Sequence, residues 1–420
     1  MIVWYRAFMG SFFSKNTIFS GLFFFFVLFS LFVLRPFRNT IAADIGTSEL
    51  TFYLFIVVLL MLLVNPLYSF IVSKIKQNRI AIYIYGFFIS NLLIFLWFYV
   101  FFPDLFLIKA IFYVWYNIFN FFIVAIFWAL TVSSFDIEGG KKYFGLISAC
   151  GSFGASCAGF LVSNYLYDKQ ILSLIITVTS LILAVYFSSL IQRDENDLSS
   201  RKDSSMEEVF EQFIQIKNNP LIRSFILYAF IWTCLSTAMW FFQLEIVNAY
   251  AATSAEKTKV FGQADQFVPL LTLFTQIFLT SLILRSKFLG IRFVLTIYGI
   301  LFAGAFLAIS GHFSGYLLSN SGVVIFLILQ GVMRPFEYGL NKPAREAVYT
   351  TLSQKEKYKS TVFIDTFTNR LGDATGGLLF NSLLTLGLVL YTAPLAIIPL
   401  ALFLVGLGAN ISKNVSRSNS

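Results

Sequence analysis

The chain has 420 residues, of which 58% are hydrophobic, 19% aromatic and only 12% charged, with a formal net charge of +9. Soluble domains carry roughly 25% charged residues, so a mean hydropathy of +0.79 excludes an ordinary soluble enzyme, a disordered chain, a collagen and a disulfide scaffold. The positive balance fits the basic cytoplasmic loops of a polytopic membrane protein, and no nucleic-acid partner is expected.

A helical span needs about 20 apolar residues, and twelve such runs follow one another. The first six cover 16–43, 50–73, 80–101, 105–134, 143–167 and 171–192; the second six cover 221–248, 263–284, 291–311, 321–350, 360–387 and 389–410. Span 1 follows Arg6 and Lys15 without a small-residue cleavage site, so it reads as a membrane span and not as a signal peptide. It ends in Arg35-Pro36-Phe37-Arg38-Asn39. Span 4 carries Tyr113, Trp115, Tyr116 and Asn117, which either pack on neighbouring helices or stack on a flat ring in a cavity. The Gly139–Lys142 loop after it has neither the leading glycine nor the Ser/Thr of a phosphate loop, so it is no nucleotide-hydrolysing motif.

The longest hydrophilic stretch links spans 6 and 7. Within it, Val209, Phe210, Phe213 and Ile214 fall on one face of a short helix over Met206–Lys217. The expected organisation is an N-terminal six-helix bundle (1–192), a cytoplasmic linker (193–220) and a C-terminal six-helix bundle (221–420). This is the plan of secondary transporters built from two halves. Lys74, Lys76 and Arg79 follow span 2, Lys141 and Lys142 follow span 4, Arg285, Lys287 and Arg292 follow span 8, and Lys355, Lys357 and Lys359 follow span 10. The alternate loops lack such an excess, which places both termini in the cytoplasm.

An ionisable side chain in a spanning helix costs several kcal/mol unless it faces a wet cavity or a partner, so each one is a functional candidate. Span 7 carries Gln243 and Glu245, and span 8 opens with Asp265. Span 10 also carries Glu346, and its Arg334, Glu337, Asn341 and Arg345 recur at three- and four-residue steps, with Tyr338, Lys342 and Tyr349 beside them. In span 11, Asp365, Asn369 and Asp373 step by four, next to Arg370. The two polar faces suggest that spans 10 and 11 meet. They form either structural salt bridges or part of an anion site. Arg35 and Arg38 have no acidic neighbour in sequence nearer than Asp44; guanidinium suits phosphate and carboxylate, but either side chain could also snorkel to the interface.

Cys150, Cys157 and Cys234 show no metal spacing, His312 stands alone, and no catalytic constellation is present, so neither a metal, a cofactor nor an enzymatic activity is expected.

Four blocks carry a family resemblance. LRPFRNTIAADIG (Leu34 to Gly46) is similar to the first-helix signature R-P-x-R-D of the ATP/ADP exchange translocases, with Asn39 in place of the acid. Phe127 to Phe160 resembles their fourth and fifth helices. FQLEIVNAY and VFGQ (Phe242 to Tyr250, Val260 to Gln263) resemble the junction of the seventh and eighth, and Lys342 to Gly377 the tenth and eleventh. The resemblance implies an all-α membrane protein of the major facilitator type, with twelve transmembrane helices in two six-helix bundles. It implies exchange of ATP/ADP or another phosphorylated anion across the inner membrane, by a carrier expected to be monomeric. Arg35, Arg38, Lys141, Lys142, Glu245, Arg334, Lys342 and Arg345 would bind the substrate; Glu337, Glu346, Asp365, Arg370 and Asp373 would gate or couple. The alternative is a proton-coupled carrier of a peptide, sugar or drug-like solute, with Glu245, Asp265, Asp365 or Asp373 as the proton site. A membrane scaffold that kept the fold is a third reading.

Overall fold

In the computed structural model the described residues are 15–74, 77–103, 105–132, 134–135, 137–191, 220–286, 289–349 and 364–418, with side chains undescribed at 65–78, 136–142, 365–366 and 414–418. All regular structure among them is helical. Lipid offers no hydrogen bonds, so a spanning backbone must satisfy its own N–H and C=O groups. The helices are α1 (Lys15–Ile45), α2 (Thr47–Lys74), α3 (Gln77–Phe101), α4 (Phe106–Val132), α5 (Ile137–Leu161, continuing through Val162–Leu166) and α6 (Gln170–Ser189). They continue as α7 (Pro220–Tyr250), α8 (Ser254–Phe274, Thr275–Thr280 and Ser281–Arg285), α9 (Gly290–Phe313), α10 (Gly322–Phe336, Glu337–Asn341 and Lys342–Tyr349), α11 (Ile364–Thr368 and Asn369–Thr385) and α12 (Ala393–Ser418).

Eleven of these are long and apolar enough to cross a membrane among the described residues; the twelfth, α11, has a 17-residue regular part. Their outer faces expose large apolar side chains such as Leu63, Phe87, Trp97 and Phe278. Water would not tolerate such a surface, and the chain is a multi-pass membrane protein. The linker helix expected over Met206–Lys217 lies outside the described residues.

Most helix ends fall within a few residues of the hydropathy reading. The main departure is α8, which starts at Ser254, well before the expected 263. Thr253 and Glu256 explain it: the Glu256 amide donates to Thr253 Oγ1, and the Thr253 amide donates to Glu256 Oε2, each at 3.2 Å. This reciprocal cap nucleates a helix whose first turns are polar, where hydropathy sees none. Between α1 and α2 a single residue, Gly46 at φ 85°, makes the turn in a left-handed conformation that a side chain would strain.

Two compact units form. One comprises Met1–Ile41, Leu67–Asp203 and Thr253–Leu270, that is, most of α1, the end of α2, α3 to α6 and the first part of α8. Its interior is aromatic: Phe23 and Phe24 of α1 pack on Phe127 of α4 with ring centroids at 5.0 Å and 4.0 Å. The first part of α8 lies backbone-to-backbone on α5, because a Cβ on Gly159 would collide with the Gln266 nitrogen. The other unit comprises Ala42–Pro66, Ser204–Ala252 and Leu271–Ser420. There α11 packs closely on α7, with Gly376 against the Cys234 carbonyl.

Each of α5, α8, α10 and α11 contains a π-helical turn. Those of α8 and α10 face each other. The wider turn of α10 leaves backbone carbonyls without their usual helical donors. Gln276 Nε2 donates to the Tyr338 carbonyl at 3.2 Å, and the Thr280 hydroxyl donates to the Gly339 carbonyl.

Candidate functional site: intramembrane charges and amides

In the first unit the charges gather where α1, α4 and α8 approach. Arg35 Nη1 lies 3.2 Å from Asp265 Oδ1, with the Asp265 side chain 6% exposed, and its guanidinium covers the Phe32 ring at 4.9 Å. Gly159 permits this pair, because it lets the α8 backbone reach the level of Asp265. The Ser156 hydroxyl, donating to the Gln266 carbonyl, holds it there. Arg35 therefore has an acidic partner after all, supplied by α8 and invisible in the local sequence of span 1.

Arg38 is held differently. Its Nη1 donates to Asn39 Oδ1 at 3.0 Å, and its Nη2 to Asn117 Oδ1 at 2.9 Å and the Tyr113 hydroxyl at 3.3 Å. The guanidinium also lies over the Tyr113 ring, 4.6 Å from its centre. Asn117 donates its Nδ2 to the Tyr113 carbonyl, which turns its oxygen toward Arg38. All of these partners are neutral, and Arg38 makes no ion pair among the described residues. The span 4 aromatics are thereby accounted for: Tyr113 supports Arg38, Tyr116 donates to the Leu31 carbonyl at 2.9 Å, and Trp115 stacks on Phe119.

In the second unit, Arg345 Nη2 lies 3.1 Å from Glu337 Oε1, the two side chains 10% and 6% exposed. Asn341 Nδ2 donates to the other Glu337 oxygen at 3.0 Å. Tyr228 donates to Asn341 Oδ1, and Trp232 covers the Arg345 guanidinium at 4.7 Å. The predicted polar face of span 10 is present, and the pair within it is buried and enclosed.

Arg334, on the same helix, makes no ion pair among the described residues. Its Nε donates to Gln330 Oε1 at 3.4 Å, and Gln330 Nε2 donates to Gln243 Oε1 on α7. Lys342 and Glu346 are exposed on α10, apart from the pair. On α11, Arg370 Nη1 meets Asp373 Oδ2 at 3.1 Å, and the Thr237 hydroxyl donates to Asp373 Oδ1 at 2.8 Å. Polar groups of both α10 and α11 turn to α7, where Tyr228, Trp232, Thr233 and Thr237 receive them. Glu245 accepts from Thr47 Oγ1 at 2.8 Å. The side chains of Lys141, Lys142 and Asp365 lie outside the described ones.

Sequence reasoning passed over one signal. Arg-Pro-Phe occurs twice, at Arg35–Phe37 in α1 and Arg334–Phe336 in α10, each time with a charged residue (Arg38, Glu337) directly after it. In each unit one member of this quartet enters an ion pair and the other Arg rests on side-chain amides. Gln330, which accepts from Arg334, and Gln243, which accepts from Gln330, complete the arrangement.

No protein-family model matches the sequence, and no curated protein does. Solved structures do. A mutant form of the nucleoside transporter NupG superposes with a TM-score of 0.65 at 13% identity, covering 96% of this chain and 100% of that one. The human organic anion transporter MFSD10 (TETRAN) gives a TM-score of 0.63 at 12% identity over 94% and 99% of the two chains. A D-xylose-proton symporter gives 0.62 at 13% identity over 93% and 96%. At such identities the likeness carries the fold: an all-α membrane protein of the major facilitator type.

Proposed function

We propose that the protein is a secondary transporter that moves a small organic anion across the membrane by alternating access, with 1–192 and 221–420 as its two halves and 193–220 as their connector. The observation that carries the reading is Arg38. Arg35, Arg345 and Arg370 each face a carboxylate, whereas Arg38 is oriented by two amide oxygens and a phenol that leave its charge uncompensated. An intramembrane cation in that state is costly, and an anion arriving beside it is correspondingly favoured. Arg334 has the same character in the second unit. The similar folds support the class, since the neighbours described above are all transporters.

Nucleotides and other phosphorylated anions belong to this substrate class, as the translocase resemblance implies. A polyphosphate clamp that needs Arg35 and Arg345 as open cations is less well supported, because each has a carboxylate within 3.2 Å. Exchange remains the favoured mode: a carrier that must reorient with Arg38 uncompensated is slow when empty and faster when an anion fills it. Proton coupling is the second reading, favoured by Glu245, a half-buried carboxylate that makes no ion pair among the described residues and accepts from Thr47.

Uptake into proteoliposomes tests both. Labelled ADP, glucose 6-phosphate and citrate are compared with adenosine and glucose, with and without an imposed pH gradient. Saturable entry of an anion, stimulated by the same anion inside, is the expected result. Entry of the neutral solutes alone would refute it, and anion entry that follows the pH gradient and is lost in Glu245→Gln would favour the proton-coupled form.

A further inference from the structure

An arginine side chain has only donors, whereas a glutamine amide has a donor end and an acceptor end. This asymmetry fixes the direction of the chain on α7 and α10. Arg334 Nε must donate, so Gln330 turns its oxygen toward it. Gln330 then has its Nε2 left to give, and gives it to Gln243 Oε1. Gln243 consequently points its own Nε2 onward. That atom is buried and has no hydrogen-bond partner, on a side chain that is 0% exposed. Flipping the Gln243 amide would set two NH₂ groups against each other, so the open donor cannot be removed by rotating it.

A buried donor left unmade is destabilising, and groups of this kind in transport proteins mark the path of a polar solute. We propose that Gln243 Nε2 is a recognition group for an uncharged oxygen of the transported solute, a hydroxyl or carbonyl, and that Gln330 and Arg334 are the positioning residues that hold it in the donating orientation. This rests on the anion-transporter reading and deepens it: the solute carries an anionic group and, in addition, a neutral oxygen acceptor. Simple anions without that oxygen leave the Gln243 donor unmade and bind less well.

Binding to the purified full-length protein, measured by isothermal titration, tests this with three matched pairs of probes: malate against succinate, 2-oxoglutarate against glutarate, and glucose 6-phosphate against inorganic phosphate. In at least one pair the oxygen-bearing member binds roughly tenfold more tightly, the worth of one buried hydrogen bond. Gln243→Met, which keeps the length of the side chain and removes the donor, abolishes that preference. Gln330→Met serves as the second variant: it removes the donor that orients Gln243 without setting a charge beside Arg334, and narrows the preference in the same direction. Equal affinity within every pair that binds, or a preference that survives Gln243→Met, overturns the proposal and leaves the anion reading standing. If none of the six binds the wild-type protein, the anion reading itself fails and this subsite with it.

Discussion

Arginine does not lose its proton in a protein, so each one inside a membrane must be matched by charge, by oriented dipoles or by a solute. Both of the first two solutions occur here. Glu337 and Arg345 form a buried pair completed by Asn341, Tyr228 and Trp232. Removing one partner of such a pair strands the other, at a cost of about 3–5 kcal/mol, while replacing both by apolar groups of similar size is often neutral. Glu337→Ala is therefore expected to lower the thermal unfolding midpoint of the detergent-purified protein sharply, and the double variant Glu337→Leu, Arg345→Met to recover most of the loss. Equal loss in both would assign the effect to packing. The spacing of Glu337, Asn341 and Arg345 made this face legible in sequence, since three- and four-residue steps share a helix side. Partners on other helices were not legible: nothing near Arg35 points to Asp265, and nothing near Asp373 points to Thr237.

At the scale of elements, hydropathy locates the helices because lipid selects for uninterrupted apolar runs. It fails at the start of α8, where a capping box begins a polar helix, and it gives no sign of the π turns. These depend on which carbonyls a neighbouring helix can satisfy, as Gln276 and Thr280 do for Tyr338 and Gly339. Glycine contacts separate into two kinds. A Cβ at Gly159 meets backbone, the Gln266 nitrogen and the Asp265 carbonyl carbon, so α5 and α8 must move apart. A Cβ at Gly331 meets only the Leu271 Cδ1 methyl at 3.6 Å, an ordinary van der Waals contact. Gly159→Ala is expected to destabilise by about 1–3 kcal/mol, the usual range for overpacking, and Gly331→Ala by less, both read from unfolding midpoints. The reverse order would show that α8 is not seated on α5 through this glycine.

For the whole molecule, the twelve-helix architecture was legible because it follows from composition and the thickness of a bilayer. The solute was not, because it depends on which cations remain uncompensated after folding, a property of tertiary contacts. In the anion-transporter reading proposed above, those contacts favour Arg38 and Arg334 over Arg35 and Arg345 as the recognition groups. The most direct measurement is a parallel comparison of Arg38→Ala, Arg334→Ala, Arg35→Ala and Arg345→Ala, scoring folded yield by size-exclusion chromatography and anion exchange in proteoliposomes on the same preparations. Arg38→Ala and Arg334→Ala should give monodisperse protein at wild-type yield with exchange reduced at least tenfold, whereas Arg345→Ala should lose folded yield first. Wild-type exchange in Arg38→Ala would contradict the assignment of anion recognition to its uncompensated guanidinium.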